Sequence, residues 1–272
     1  AQLLLQIDDM ILHKLSISIL ALMMIWLATR TPVQGQLLLT DEFNGSGFID
    51  QSIWRLPSAG PGSFLGRTQL KTNVATDYPF VVGGVATLEL DTYLNAGGNF
   101  FSGHELNTRR NFARAGGLRI EARMRLRDMP PGLVGAFFLF DVQRSNGSGD
   151  LVRDEYDHEI LTNEGQAGGR NRLLMNYWND KPFTGPGSGG SAVYSEPNIV
   201  GGWDMSQFHN YRIDWLDDRL QWFVDGQLIR TAFNNIPDDP MTVRINLWAP
   251  AADFNLAYSG TLQPASSPGQ NE

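Results

Sequence analysis

The sequence predicts an all-β protein with the architecture of a β-sandwich or jelly roll. Three observations favour this fold class. After Gln36 no segment shows the apolar periodicity of an amphipathic helix, short segments instead alternate apolar with polar residues, and turn-forming residues separate these segments. Strands that recur without helices pack as two sheets around a shared core. The 272 residues contain no internal repeat and no interdomain linker.

The individual strands follow from two kinds of pattern. From Leu118 to Arg127 apolar residues alternate with mostly basic ones, which predicts a half-buried strand with a basic outer face. Residues 135–140 are apolar throughout, which predicts a central strand covered on both sides. Asp225-Gly226 is a strong signal for a tight hairpin turn. Four further strands are predicted at residues 211–215, 220–224, 227–231 and 243–247.

Two segments are predicted to lack regular structure. Residues 179–202 are rich in Gly, Pro and Ser and read as a long loop. Composition leaves open whether this loop is a lid over a cleft or a surface excursion. The tail from Pro264 to Glu272 is also expected to be unstructured.

The N-terminal segment has the pattern of a secretory signal. Lys14 precedes an apolar run from Leu15 to Ala28, and small residues follow at Val33-Gln34-Gly35. We therefore predict that residues 1–35 are upstream residues and a signal peptide, and that residues 36–272 form a secreted domain, extracellular or periplasmic. An uncleaved membrane anchor is the alternative, although the run is short for a membrane span.

Composition restricts the class of partner. The formal net charge is −8, which argues against nucleic acid or an anionic membrane surface as the main partner, whereas a neutral polysaccharide is compatible with it. There is no cysteine, so disulfides contribute nothing to the fold. We expect a monomer without stable membrane association once the signal is removed.

The strongest chemical signal is a run of alternating acids at Glu155, Asp157 and Glu159. Alternate residues of a β-strand share a face, so the three carboxylates should point the same way. A glycosidase needs one carboxylate as nucleophile and one protonated carboxyl as acid, and crowding raises the pKa of one of them. The alternative interpretation is a solvated strand edge or turn.

Several segments in the same order resemble glycoside hydrolase family 16, from about Asp41 to Leu262. The resemblance implies a concanavalin-like jelly roll of two antiparallel sheets with a concave substrate cleft. It also implies hydrolysis with retained configuration, with Glu155 as nucleophile, Glu159 as acid/base and Asp157 tuning the pair. The matching segments are Asp41–Phe43, Trp54-Arg55, Phe101–Glu105, Ala122–Met124, Gly132–Phe138, Glu155–Glu159, Phe208–Trp215, Trp222–Gly226 and Asn246–Trp248.

The spacing of the acids indicates which branch of the family the sequence resembles. No residue is inserted between Asp157 and Glu159, which resembles the lichenases and xyloglucan-active members rather than the bulged laminarinases and agarases. The sequence departs from lichenases in four places, one of which is the long loop from Asn179 to Gly202, a segment without a recognised lichenase counterpart. Lichenases usually carry tryptophan where Arg153 stands and arginine where Asn107 stands, and Phe254 lies near an expected tryptophan.

Five further residues match substrate-binding positions of the family. Amides and carboxylates can bond sugar hydroxyls, and indole rings can stack on sugar rings. The alternative for the two tryptophans is a place in the core. Trp203, Trp215 and Trp222 are expected in the core or at its rim. His158 has the opposite parity from the acids and is expected between the sheets. The five candidates are Glu105, Asn176, Trp178, Asn246 and Trp248.

These observations predict a retaining endo-β-glucanase that cleaves β-1,3-1,4- or β-1,3-linked glucan. The alternatives are a transglycosylase, a galactan hydrolase of the same family, and a non-catalytic lectin-like domain. No cofactor is required by this chemistry. Structural calcium occurs in the family, and no acidic cluster in the sequence indicates where such an ion would bind.

Overall fold

The computed structural model describes residues 36–62, 65–93, 100–144, 151–163, 173–182, 193–195 and 203–267. The predicted signal peptide lies outside the described residues. The chain divides into two units, Ala1–Glu42 and Phe43–Glu272. All strands belong to the second unit. Among the residues just given, no helix is long and apolar enough to cross a membrane.

Strands alone make up the regular structure of the described residues, which confirms the predicted all-β class. In chain order they are β1 (Gly47–Phe48), β2 (Trp54–Arg55), β3 (Thr68–Leu70), β4 (Phe80–Val82), β5 (Val85–Thr87), β6 (Leu90–Asp91), β7 (Phe101–Gly103), β8 (Glu105–Thr108), β9 (Leu118–Met124), β10 (Val134–Arg144), β11 (Leu151–Leu161), β12 (Leu173–Pro182), β13 (Val193–Ser195), β14 (His209–Trp215), β15 (Leu220–Val224), β16 (Gln227–Ala232) and β17 (Thr242–Trp248).

Two antiparallel sheets form the sandwich. The larger has the order β13-β12-β11-β10-β17-β8-β2, and the smaller has the order β16-β15-β14-β9. Their facing sides pack through buried aromatic residues, such as Tyr156 of β11 against Trp215 of β14 with ring centroids 5.5 Å apart. Trp203 and Trp222 are also buried, so of the two placements predicted for these tryptophans, core or rim, the structure shows the core. Two three-stranded sheets, β1-β4-β5 and β3-β7-β6, complete the fold.

Strand β10 is the central strand that the sequence predicted. It pairs with β11 on one side and with β17 on the other, and residues 133–139 are all buried. A strand covered on both faces and paired at both edges can be apolar at every position. The hairpin at Asp225-Gly226 is also confirmed, because both residues have positive φ (49° and 79°), as a type I′ turn requires.

The loop predicted from Asn179 is wrong at its start. Residues 179–182 continue β12, and residues 193–195 form β13. A register shift opposite Asp154 places Asn179 and Asp180 in a bulge, after which Lys181 again pairs with Arg153. The loop was predicted because the segment is rich in Gly, Pro and Ser. Within β12 the bulge accommodates Asp180 with positive φ (50°), and the strand ends at Pro182. The rest of the predicted loop lies outside the described residues.

Two other boundaries are refined. Strand β9 ends at Met124, three residues before the predicted end, because the N–H of Leu126 instead donates to the carbonyl of Met205. The tail has no strand through residue 267, although the N–H of Ala265 donates to the carbonyl of Thr92 at 2.8 Å.

Candidate active site

Glu155, Asp157 and Glu159 lie on one face of β11. The strand keeps an unbroken register with β10 from Leu151 to Leu161 and with β12 from Glu155 to Glu159. No bulge separates the acids, so a period of two places all three on the side away from the smaller sheet. The opposite face carries Tyr156 and His158, both fully buried between the sheets.

His158 is a structural residue rather than part of the acidic face. Its Nε2 lies 3.2 Å from the carbonyl oxygen of Arg212 on β14, and its ring contacts Tyr211 with centroids 5.6 Å apart. Burial lowers the pKa of His158 to about 4, so the imidazole is neutral at ordinary pH. This placement between the sheets agrees with the prediction from strand parity.

The three acids occupy a poorly solvated site, which favours their protonated forms. Burial, followed by the charge of Glu155, raises the pKa of Glu159 to about 8. Burial also raises the pKa of Asp157 well above its usual range, and Glu155 and Glu159 act in the same direction. For Glu155, burial raises the pKa while the charges of Arg153 and Arg244 oppose the rise. The strand therefore holds carboxyl groups of the same type in unlike electrostatic surroundings.

Two arginines account for that difference. Nη1 of Arg153 lies 3.4 Å from Oε2 of Glu155, and both side chains are largely buried. The Arg153 guanidinium also lies over the ring of Trp178, 4.3 Å from its centroid. Arg244 on β17 lies over the ring of Phe140, the residue that pairs with Glu155 across β10 and β11. The cationic groups thus lie toward the Glu155 end of the acidic face.

Glu105 is the centre of a second polar group on the same sheet. Its Oε2 accepts a hydrogen bond from Nδ2 of Asn246 at 3.1 Å, and its Oε1 lies 3.2 Å from Nη1 of Arg244. Burial raises the pKa of Glu105, while Arg244 and Asn246 oppose the rise. The structure therefore brings together Glu105 and Asn246, which the sequence proposed as binding residues.

The remaining candidates differ in surroundings. Asn176 and Trp178 are half-buried on β12 and pair with Asp157 and Glu155, respectively. Trp248 is 8% exposed and belongs to an apolar cluster with Val134 and Leu161. Its ring stacks on that of Phe254 with centroids 6.1 Å apart. Asn176 and Trp178 thus adjoin the acids directly, whereas Trp248 packs in the apolar part of the same sheet face.

Asp154 is a buried acid whose role the sequence did not reveal. Its Oδ1 accepts the N–H of Asp180, and its Oδ2 accepts the N–H groups of Asp238 and Asp239. These bonds tie the bulge of β12 and the segment before β17 to the beginning of the acidic run. The donors come from segments distant in sequence, so no local pattern could have indicated them.

Asp154 also belongs to a group of three carboxylates that, within the described part of the chain, is the candidate for a metal-ion site. Oxygens of Asp154, Asp180 and Asp239 lie within 4.8 Å of one another. Burial and the neighbouring acids raise the pKa of Asp239 to about 6. Both oxygens of Asp154 already accept backbone N–H groups, whose dipoles would oppose a cation there. The arrangement therefore does not fit a calcium site.

Comparison with known families agrees with this architecture. The family model described as glycosyl hydrolases family 16 matches residues 68–263, which include every residue of the acidic face. The chain belongs to this family. The match covers well over half of the chain and ends just after the apolar segment that contains Phe254.

Curated relatives match over shorter stretches. A "Beta-glucanase" of Brevibacillus brevis is 31% identical over 118 residues, 43% of this chain and 39% of the relative. A "Crh-like protein 2" of Botryotinia fuckeliana is 41% identical over 65 residues, 21% of this chain and 14% of the relative. The chain thus matches about two fifths of the bacterial relative's length and less of the fungal one.

Solved structures share the fold over most of the chain. A lichenase derived from a mouse hindgut metagenome has a TM-score of 0.60 at 20% identity, covering 81% of this chain and 90% of that one. An endo-β-1,3-glucanase from Pyrococcus furiosus has a TM-score of 0.61 at 20% identity, covering 86% and 89%. These likenesses show the predicted jelly-roll fold.

The departure from the lichenase pattern at Asn107 has a basic neighbour on the adjacent strand of this family 16 chain. Asn107 stands where the lichenase pattern has arginine, two residues after Glu105. Arg244 is the direct cross-strand partner of Asn107 in the pairing of β17 with β8, and its guanidinium reaches Glu105. A positive charge therefore lies beside Glu105 and is supplied by the neighbouring strand, which a comparison along one strand could not detect.

Proposed function

We propose that this chain is a secreted endo-β-glucanase that hydrolyses β-1,3-1,4- or β-1,3-linked glucan with retention of configuration. The observation that carries the proposal is the contrast between two glutamates on one unbulged strand. Glu155 has the Arg153 guanidinium 3.4 Å away, whereas burial raises the pKa of Glu159 to about 8. A retaining glycosidase needs one ionised and one protonated carboxyl at the same moment.

The proposed reaction has two steps. Glu159 donates its proton to the glycosidic oxygen as the bond from that oxygen to the anomeric carbon breaks, and the carboxylate of Glu155 bonds to the same carbon. Glu159, now ionised, then takes a proton from water. The oxygen of that water attacks the anomeric carbon and releases Glu155 as a carboxylate. Two displacements restore the original β configuration.

The substrate class rests on the unbulged strand and on what the similar proteins are named. The relatives include beta-glucanases, and the structural neighbours include a lichenase and an endo-β-1,3-glucanase. Half-buried Trp178 and Asn176 beside the acids supply an apolar ring and a polar amide for a sugar. A lectin-like role would leave the crowded, desolvated acids without a purpose, since binding gains nothing from their raised pKa values.

The test is a product profile on mixed-linkage glucan, laminarin, xyloglucan, agarose and carrageenan, with NMR of the first product from the preferred polymer. We expect cleavage of a mixed-linkage or β-1,3-glucan and an initial β anomer. Glu155→Gln should lose several orders of magnitude in rate while retaining the fold. Glu121→Gln, which changes an exposed glutamate of β9, is the matched control.

Distinct results would contradict distinct parts of the proposal. An initial α anomer would contradict the retaining mechanism, and cleavage of galactans alone would contradict the glucan assignment. Transfer of sugar to added oligosaccharide in preference to water would indicate a transglycosylase. Sugar binding without turnover by the unaltered protein would indicate a lectin.

A further inference from the structure

The charged groups around Glu155 come from four strands. On β11 itself, Arg153 lies on one side along the strand and Asp157 and Glu159 on the other. Strand β12 contributes Lys181, the cross-strand partner of Arg153. Strand β17 contributes Arg244, and β8 contributes Glu105, whose charge opposes that of Arg244. Strand β10 contributes Phe140, which is uncharged.

Among these groups only Arg153 makes an ion pair with Glu155 within the described part of the chain. Arg244 pairs with Glu105, and Lys181 lies near Trp178, with Nζ 5.4 Å from the ring centroid. No lysine or arginine nitrogen of the described residues makes an ion pair with Glu159. Of the two glutamates, only Glu155 therefore has an ion pair with a basic side chain among the described residues.

Arg153 is also held in place by packing. Its guanidinium lies 4.3 Å from the centroid of Trp178, and Trp178 is the direct cross-strand partner of Glu155. A planar guanidinium can stack on an indole ring while its N–H groups point at a carboxylate. Only 9% of the Arg153 side chain is exposed, so water screens its charge weakly.

From this geometry we propose that Arg153 is the positioning residue that assigns the roles of the two glutamates, by fixing Glu155 as the ionised member of the pair. This inference rests on the proposed function and adds a determinant that the family resemblance does not supply, because lichenases usually have tryptophan here. Without Arg153, the remaining cation that favours ionised Glu155 would be Arg244, which is itself paired with Glu105. With Arg153, the proton resides on Glu159.

The test compares Arg153→Met with Arg153→Lys and Lys181→Met. Methionine keeps an apolar chain against Trp178 but removes the charge, and lysine restores the charge. Lys181→Met removes a cation near the same ring that does not pair with Glu155. Two readouts are measured: the acidic limb of kcat/KM against pH, and the midpoint of the Glu155 carboxyl titration by ¹³C NMR, assigned with Glu155→Gln.

We expect Arg153→Met to move the acidic limb and the carboxyl midpoint upward together by about one pH unit or more. Arg153→Lys should return both close to their original positions, and Lys181→Met should leave both in place. Should Arg153→Met fail to fold, Arg153→Gln removes the same charge and keeps a polar group. An unmoved Glu155 midpoint in a folded, uncharged variant, or an equal movement in Lys181→Met, would overturn the proposal.

The two readouts separate this inference from the proposed function. A shifted Glu155 titration in a protein that cleaves no polysaccharide of the panel would contradict only the function. Cleavage of β-glucan with retained configuration, together with an unmoved Glu155 titration in Arg153→Met, would contradict only the role of Arg153.

Discussion

The indole N–H of Trp222, on the smaller sheet, donates a 2.8 Å hydrogen bond to the main-chain carbonyl of Asp157. Both residues are buried, so the bond crosses the interior of the sandwich and reaches the middle of the acidic run. A bond in a poorly solvated interior is electrostatically stronger than the same bond in water. The smaller sheet thus holds the backbone of β11 in position at Asp157, and the other face of β11 carries the carboxylates.

Trp222→Phe should therefore lower kcat as well as stability. The variant leaves a buried space and removes a donor, which should cost about 1–3 kcal/mol of unfolding free energy. Trp215→Phe is the matched control, because its ring also packs against β11, at Tyr156, but its indole N–H donates to the carbonyl of Pro237 instead of to β11. Urea unfolding and kcat measured on both variants should show similar losses of stability but a larger loss of kcat for Trp222→Phe. Equal kcat values in the two variants would contradict this link.

The alkaline limb of the pH–rate profile should have its midpoint near pH 8. Glu159 acts as an acid only while protonated, and its pKa is raised to about 8 by burial and by the charge of Glu155. The proton is lost as pH rises through that value, so kcat/KM should fall there. Initial rates on the preferred glucan from pH 4 to pH 10 measure the limb. A midpoint near pH 5 would contradict a pKa of about 8 for the catalytic acid.

Glu159→Gln should stabilise the fold more at high pH than at low pH. The folded protein holds this proton up to about pH 8, whereas the unfolded chain releases it near the ordinary value for glutamate, about 4.3. Between these values the stability contributed by Glu159 falls as pH rises. The variant lacks this loss, so its gain in Tm should be negligible at pH 4 and about 2–4 °C or more at pH 8.5. Calorimetry at both pH values tests this, and a gain independent of pH would contradict it.

Asp157→Asn should leave the alkaline limb close to its original position. The sequence suggested that the charge of Asp157 raises the pKa of Glu159, but the structure attributes the rise to burial and then to Glu155. The pKa of Asp157 is itself raised well above its usual range by burial and by the charges of Glu155 and Glu159, which disfavours the charged form of this carboxyl. Asparagine keeps a polar group of similar shape at this position, and the causes that raise the pKa of Glu159 remain in place. The pH–rate profile of the variant decides between the two accounts, and a limb moved down by a full pH unit would favour the charge of Asp157.

Much of the site could be predicted because strand parity is local. The alternation of Glu155, Asp157 and Glu159 placed them on one face, and the same rule placed His158 between the sheets. The hairpin at Asp225-Gly226 was also predictable, since two consecutive residues with positive φ restrict the residue types allowed there. Each of these inferences depends only on residues within a few positions of one another.

What the sequence could not provide are contacts between distant segments. Arg244 lies beside Glu105 because of the register between β17 and β8. The two residues are 139 positions apart in the chain, so no local pattern indicates their contact. The continuation of β12 through Asp180 was missed because a bulge admits residues that composition assigns to loops. The burial of Trp248 depends on Phe254, whose ring stacks on it. Strand parity does not predict a contact of this kind.

The bonds made by Asp154 have a consequence for how such an enzyme can diversify. One carboxylate anchors the bulge of β12 and the segment leading into β17, immediately beside the acidic run. Sequence changes on the C-terminal side of Pro182 would begin beyond this anchor, and the three hydrogen bonds would oppose any displacement of β11 at Glu155. Evolution could then vary the chain beyond the anchor while the arrangement of Glu155, Asp157 and Glu159 stayed unchanged.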